Sequence, residues 1–431
     1  MPTTPRLPPD LLRDAPAGRT WVGLSGGLDS TVLLHLLASD DRVRRRGLRA
    51  LHVHHGLHPD ADAWAAHCET LCTSLDVPVG IVRVPVVAAG EGPEAAARAA
   101  RHAAYAAALD DDDTMALAHH QGDQAETFLL RALRASGPDG LAAMPAWRRC
   151  GRGWLWRPLL GVPREALRAH AEAHGLRWLE DPSNRDVALD RNYLRHRVLP
   201  LLRARWPAAD AALARSAALS AEAATLLEGG DTAALARVAT DDPAVLSCPA
   251  LAALPAARRA RVLRHWIALL GLPPLPAGGI ARIECELLPA AGDGQARFAW
   301  RDAEVHAWRG GLHAGRAVAA LPADWSATWD GKAPLALPGD GTLRLEPAVP
   351  FDARVTVRAR RGGERITLPG RGHSHALKHV LQDGGVPPWL RRALPLLLDP
   401  DGAVLAAGDV VASAGFDAWL RGHGTRLAWA R

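Results

Sequence analysis

The sequence predicts an α/β protein: an N-terminal doubly wound parallel sheet, then a mainly helical middle domain and a small α+β C-terminal domain. Three observations carry this. From Thr20 to about Leu133, short apolar runs alternate with helical ones, the pattern of a parallel sheet covered by helices on both faces. After the first apolar run comes Ser25-Gly26-Gly27-Leu28-Asp29-Ser30, a glycine turn entering a helix, where such folds hold phosphates. Near the C-terminus, "TLRLEP" and "RVTVRARR" alternate at period two, as strands do.

In order, strands are predicted at Trp21–Leu24, Leu48–His54, Val77–Val86 and Met115–Ala118. Helices are predicted near Ser30–Leu37, Asp60–Leu75, Pro93–Leu109 and Asp123–Leu133. Ligands in such sheets sit at the carboxyl ends of strands, near a switch in strand order. From about Ala208 to Arg264 the chain is alanine- and leucine-rich with helical period, Pro273–Pro276 breaks it, and strand-like pieces run to about Val318. Leu321–Pro338 carries Pro, Trp and Gly without periodicity, which predicts a linker. The helix "SHALKHVLQDG" and the strand "AVLAAGDVV" complete the last unit. The predicted domains are therefore 1–207, 208–320 and 343–431, with 321–342 as the linker.

Composition narrows the class. The chain has 431 residues, 48% hydrophobic and 23% charged, as soluble multi-domain proteins do. No uncharged run approaches the ~20 residues that span a bilayer, and the first twenty residues lack the apolar core of a secretory signal. The expectation is a cytoplasmic protein with no membrane partner. A net charge of +5 allows an acidic partner such as RNA. Five cysteines without Cys-x-x-Cys argue against a disulfide framework, a zinc ribbon or a redox dithiol.

The glycine turn has no lysine, so it is not a Walker loop. Ser25, Gly26 and Gly27 let backbone N–H groups converge on an anion, and Ser25 and Ser30 add hydroxyl donors. Asp29 would repel a bare phosphate, so its natural task is to hold Mg²⁺ against the phosphates. A second cluster, His119, His120, Asp123, Gln124, Glu126 and Thr127, follows the fourth strand, with Asp123 as the expected helix N-cap. Glu94, Arg98 and Arg101 share one helix face. Farther on, Arg191, Asn192 and Arg195 lie one helical turn apart, a clamp suited to phosphate or a base edge. Trp147–Arg168 interleaves Arg148, Arg149, Arg152, Arg157, Arg164 and Arg168 with Trp147, Trp154 and Trp156, a composition that suits RNA. Arg354–Arg371 is basic again.

The turn resembles the PP-loop of the ATP pyrophosphatase superfamily, in which ATP is cleaved between its α and β phosphates and the substrate is adenylated. Within it, "HHQGDQAET", "EAAARAARHAAY" and "EDPSNRD…RNYLR" resemble motifs of bacterial tRNA(Ile)-lysidine synthetases. Gly362–Arg365, Leu377–Lys378, Pro388–Trp389, Arg391 and Pro395 match their C-terminal domain. Three positions depart: Gly122 replaces a frequent Asp, His102 an aromatic, and His54 an asparagine. The resemblance implies that ATP, with Mg²⁺, adenylates the 2-carbonyl oxygen of the wobble cytidine in a CAU anticodon. Free L-lysine then displaces AMP. Ser25 to Ser30 would bind ATP, and Asp29, Asp123 and Glu126 would be catalytic. Glu94, Arg98, Arg101, His119, His120, Gln124, Arg191, Asn192 and Arg195 would position cytidine or lysine. Arg148, Arg149, Arg358, Arg361, Arg365 and Lys378 would contact tRNA. Another adenylating PP-loop enzyme and a non-catalytic tRNA-binding homologue stay open, as does the oligomeric state, a homodimer included.

Overall fold

The computed structural model describes residues 7–86, 92–290, 296–339 and 341–430, and the side chains of residues 93, 94, 184, 185 and 277 lie outside that description. The chain divides into two compact units, Met1–Gly229 and Gly230–Arg431.

The first unit is built on β1 (Thr20–Gly23), β2 (Leu48–His54), β3 (Val79–Arg83), β4 (Thr114–Ala116), β5 (Trp147–Cys150) and β6 (Gly153–Trp156). Their order in the sheet is β3-β2-β1-β4-β6-β5. All neighbours are parallel except β5 and β6, which form an antiparallel hairpin at one edge. After β1 the chain fills one side of the sheet, then returns to the other with β4. The crevice between the ends of β1 and β4 is thus the switch point where ligands bind. Helices α1 (Leu28–Ala38), α2 (Asp41–Gly47), α3 (Ala61–Ser74), α4 (Pro93–Ala108), α5 (Gln121–Ala132), α6 (Pro138–Leu141) and α7 (Arg164–Ala173) connect and cover the strands. Leu33, Leu34 and Leu37 of α1, Val22 of β1, Ala50 of β2 and Leu167 of α7 lie wholly inside one core cluster.

Helices α2, α6 and α7 and strands β5 and β6 lie outside the expected set of elements. Helix α2 starts because the Asp40 carboxylate accepts from the backbone N–H groups of Arg42 and Val43. The β5–β6 hairpin carries the first part of the arginine- and tryptophan-rich stretch. Its Trp147 and Trp156 pair across the strands and stack at 5.5 Å, while Arg149 lies over Trp154 at 4.4 Å. Trp156 is buried in this packing, and Trp154 is half-buried under Arg149.

In the second unit, the strand pieces expected between Pro276 and Val318 are joined by Val245–Ser247, from the stretch read as helical, in a four-stranded antiparallel sheet with order Val245–Ser247, Gly311–Arg316, Ala303–Trp308, Arg297–Trp300. Helices such as Ala256–Leu269 share its core. The C-terminal part packs a five-stranded and a three-stranded antiparallel sheet around Leu343, Val357, Leu377 and Leu397. The stretch expected to be a linker belongs to this core instead. Ser326–Trp329 pairs with Val355–Arg358, Leu335–Ala336 pairs with Thr342–Leu343, and Leu321, Trp329 and Leu337 are buried. Strands this short leave no periodicity to read. Among the described residues no helix is long and apolar enough to cross a membrane.

Candidate active site

The glycine turn is held by a ring of hydrogen bonds. Ser30 Oγ donates to the Gly27 carbonyl at 3.1 Å, which leaves Ser25 Oγ as the donor to Ser30 Oγ at 3.0 Å. The Ser25 N–H donates to Ser30 Oγ, and the Gly27 N–H to Ser25 Oγ. Gly27 is the N-cap of α1, and no side chain caps it. The first N–H groups of the helix therefore point out of its end with the positive pole of its dipole. From the far side, the Leu179 N–H donates to the Gly26 carbonyl at 2.9 Å and pins the turn.

Gly26 sits at φ +82°, and a Cβ there would meet Cys68 Sγ at 3.2 Å and Leu179 Cδ1 at 3.3 Å. Gly26→Ala is expected to cost roughly 1–3 kcal/mol of backbone strain and to raise KM for ATP. Chemical denaturation alongside ATP titration would show both, and an unchanged KM would remove the loop from nucleotide binding.

Asp29, in the first turn of α1, has its Oδ1 buried without a hydrogen-bond partner. Arg164 Nε, from the first turn of α7, stands 3.6 Å from it, and His120 Nε2 lies 3.8 Å from the other oxygen. The His120 Nδ1 accepts from the Gly122 N–H at 3.0 Å, so Nε2 carries the ring proton toward the Asp29 and Asp123 carboxylates.

Helix α5 opens differently from the expectation. Its N-cap is His120, and Asp123 occupies the third position, where its carboxylate accepts from the His120 N–H at 2.9 Å. This reciprocal cap orients both side chains. Two guanidinium groups then close on the carboxylates. Arg191 donates to Glu126 at 2.7 Å and to Asp123 at 2.9 Å, and Arg195 donates to the same pair at 2.6 to 3.0 Å. Every oxygen of Asp123 and Glu126 accepts at least one bond, and the Glu126 side chain is only 2% exposed.

Burial alone would raise the Asp123 pKa, but His120, Arg191, His119 and the His120 backbone N–H hold it well below the carboxylate range. A carboxyl depressed on folding contributes stability that is complete above its unfolded value, about 3.9. That contribution fades as pH falls through the folded value. Asp123→Asn should therefore flatten the loss of stability below about pH 4, measured as urea midpoints across the acid range. An unaltered slope would place the acid sensitivity elsewhere.

Beside this cluster the site is strongly cationic. Burial pushes the His119 ring down to about 3 against the pull of Asp123, with Arg157, Arg191 and Arg98 adding to it. Burial and Arg148, Arg98, Arg157 and Arg101 take His102 to about 4. Arg157 itself, buried and near Arg148 and Arg98, is lowered to about 10. Its Nε donates to His119 Nδ1 at 3.3 Å and its Nη1 to the Pro145 carbonyl. Arg101 donates to His55 Nε2 at 3.3 Å, and Arg148 bonds His102. So many cations beside a switch-point crevice make a field for phosphate oxygens.

The other expected residues divide. Gln124 has both ends of its amide engaged by the Met144 backbone. Asn192 donates to the Ser183 and Asp186 carbonyls and ties down that turn. Both amides therefore hold local backbone in place. The side chain of Glu94 lies outside the described residues. Arg148 and Arg149 are exposed on β5. In the second unit Arg361, Arg365 and Lys378 are exposed, whereas Arg358 turns inward to pair with Glu364 at 3.5 Å.

Sequence reasoning missed the partnership of Arg164 with Asp29, the pin at Leu179, and Asp210. Asp210 Oδ2, held by Arg203, lies 3.9 Å from where a Cβ on residue 122 would sit. It brings a carboxylate close to the position where Gly122 offers none.

Comparison with known proteins agrees along the chain. A PP-loop domain model matches residues 7–202, a TilS substrate binding domain model 246–313, and a TilS substrate C-terminal domain model 355–429. A tRNA(Ile)-lysidine synthase of Xanthomonas axonopodis pv. citri is 56% identical, covering 97% of this chain and 96% of that protein. One from Xylella fastidiosa (strain Temecula1) is 50% identical over 99% and 97%. One from Pseudomonas aeruginosa is 45% identical over 96% and 93%. With this identity along nearly the whole chain, and a PP-loop site at the switch point, the chain belongs to the tRNA(Ile)-lysidine synthase family.

Proposed function

We propose that this chain joins free L-lysine to the 2-carbon of the wobble cytidine in a tRNA(Ile) with a CAU anticodon, consuming ATP and releasing AMP and pyrophosphate. The observation that carries the reading is one crevice holding both an uncapped helix end and a cluster of carboxylates and arginines. The first suits a triphosphate and the second an amine and a nucleobase.

The chemistry requires two steps. A ring carbonyl oxygen leaves poorly, so it first attacks the α phosphate of ATP and pyrophosphate departs. Ser25 to Ser30 would hold the β and γ phosphates as they leave, through the N–H groups at the start of α1. No lysine is needed, because the two phosphates depart together rather than one being handed on. The orphaned, buried Oδ1 of Asp29 fits a divalent cation. When bound there, Mg²⁺ would supply positive charge to the pyrophosphate oxygens.

In the second step the lysine ε-amine attacks C2 and AMP leaves. That amine has a solution pKa near 10.4, so it arrives as an ammonium. Asp123 and Glu126 are proposed to receive it, one arginine contact being exchanged for the ammonium, and one of the two carboxylates to take the proton that must leave before the nitrogen lone pair can attack C2. With its carboxyl held so low, Asp123 binds a cation better than it takes a proton. Arg98, Arg101, His119 and His120 are proposed to orient the cytidine and its phosphates, and Arg148, Arg149, Arg361, Arg365 and Lys378 to hold the tRNA. Binding of that RNA should weaken steeply with salt.

The decisive assay supplies ATP, radiolabelled lysine and tRNA bearing CAU to the purified protein. Label in that tRNA alone is the expected outcome. Transfer to other tRNAs instead, or incorporation of sulfide or ammonia but not lysine, would replace this reading.

A further inference from the structure

Away from the crevice, three imidazoles meet between α1 and α7. His35 lies near the C-terminal end of α1, His170 near that of α7, and His174 is the residue that caps α7. Their ligating nitrogens all fall within 4.8 Å of one another. His35 Nδ1 and His170 Nε2 face each other at 3.1 Å. Two nitrogens on one tetrahedral ion with bonds of 2.0–2.1 Å are separated by about 3.3 Å, so this pair is already close to that spacing. His174 Nδ1 contacts the His170 carbonyl at 2.9 Å. A carbonyl only accepts, so the proton is on Nδ1 and the Nε2 lone pair is free to ligate. The rings of His170 and His174 stack at 4.1 Å, four residues apart, and a rotation of the exposed His174 side chain can close the set.

From this geometry we propose that His35, His170 and His174 form a binding site for a borderline divalent transition ion of the Zn²⁺ class, with solvent in the fourth position. An all-imidazole set suits Zn²⁺, Ni²⁺ or Cu²⁺ and not Mg²⁺, so this site is chemically distinct from Asp29. No proton need be lost. The one shared between His35 and His170 moves to a distal ring nitrogen, and all three rings bind as neutral ligands. Burial, with the neighbouring imidazoles, keeps His35 below its ordinary value and His170 at about 4, which favours the ligating form.

The placement gives the ion a role. Asp29 and His35 are six residues apart on α1, as are Arg164 and His170 on α7, roughly 9 Å along each helix. The two helices thus present Asp29 and Arg164 at one end and the histidines at the other. An ion at the histidines would bolt the helices together and set the Asp29–Arg164 spacing.

The test uses the untagged full-length chain, equilibrium dialysis against Zn²⁺ in excess Mg²⁺, and elemental analysis. One equivalent is expected, with a melting temperature that rises with Zn²⁺ concentration as binding to the native state requires. His174→Gln, at an exposed position, should weaken binding at least ~10-fold without unfolding the protein. His35→Gln combined with His170→Gln should remove the site, and Co²⁺ should give a visible ligand-field band in the parent protein only. No bound equivalent in the parent, or parent-like affinity in the soluble His174→Gln variant, would overturn the proposal.

Discussion

Asp29→Asn is expected to lower kcat/KM for lysine transfer by about 10²–10⁴, the equivalent of the several kcal/mol that a cation on the leaving phosphates supplies. The substitution keeps the shape of the side chain and removes only its charge. The fold should tolerate it, because Asp29 Oδ1 makes no hydrogen bond and the nearest guanidinium, of Arg164, stands 3.6 Å away. The expected signature is therefore a large kinetic defect with a nearly unchanged melting temperature. Pyrophosphate release measured without lysine isolates the first step and should fall as far as the overall rate. Arg164→Gln gives the contrast. It leaves the carboxylate without its neighbouring cation, and the effect should fall on KM for ATP more than on kcat. If Asp29→Asn instead left pyrophosphate release intact and slowed only lysine attack, Asp29 would belong to the second step.

What the sequence disclosed followed from how local each feature is. The turn at Ser25–Ser30 is contiguous and lies between an apolar strand and a helix, so its place and its chemistry could both be read. The parallel core was legible for the same reason, since each βα unit carries its own periodicity. The arginine clamp was not, because Arg191 and Glu126 are 65 residues apart and only the fold brings them together. Gln124 and Asn192 look like substrate ligands in a string of letters. Their amides meet backbone carbonyls and N–H groups that no side-chain pattern announces. The β5–β6 hairpin was hidden by arginines at its outward positions, which read as a composition for RNA rather than as strand alternation. In the C-terminal unit, strands of two to four residues, such as Leu335–Ala336, leave no alternation to detect. The three histidines between α1 and α7 escaped for the same reason as the clamp, His35 and His170 being 135 residues apart.

That clamp carries the largest expected effect on stability. Glu126 is almost fully buried, and its carboxylate offsets two guanidinium groups that also share Asp123. Glu126→Gln keeps the volume and leaves two arginines facing one carboxylate. Breaking a buried ionic group from one side costs about 3–5 kcal/mol. For a unit of this size that is a fall in melting temperature of roughly 6–20 °C. Arg195→Gln should cost a similar amount for the mirrored reason, since Arg191 is then the one guanidinium of the clamp left to both carboxylates. The informative measurement is the double variant. If the residues act as one network, Glu126→Gln with Arg195→Gln will be markedly less destabilised than the sum of the two singles, because the second change removes a charge that the first left uncompensated. Strict additivity would mean that the arginines stabilise the Asp190–Val198 segment by packing. The clamp would then have no part in setting the charge of the crevice, and Asp123 and Glu126 could act independently. A shortfall would mean that the four groups form one coupled, neutral unit, two carboxylates against two guanidinium groups.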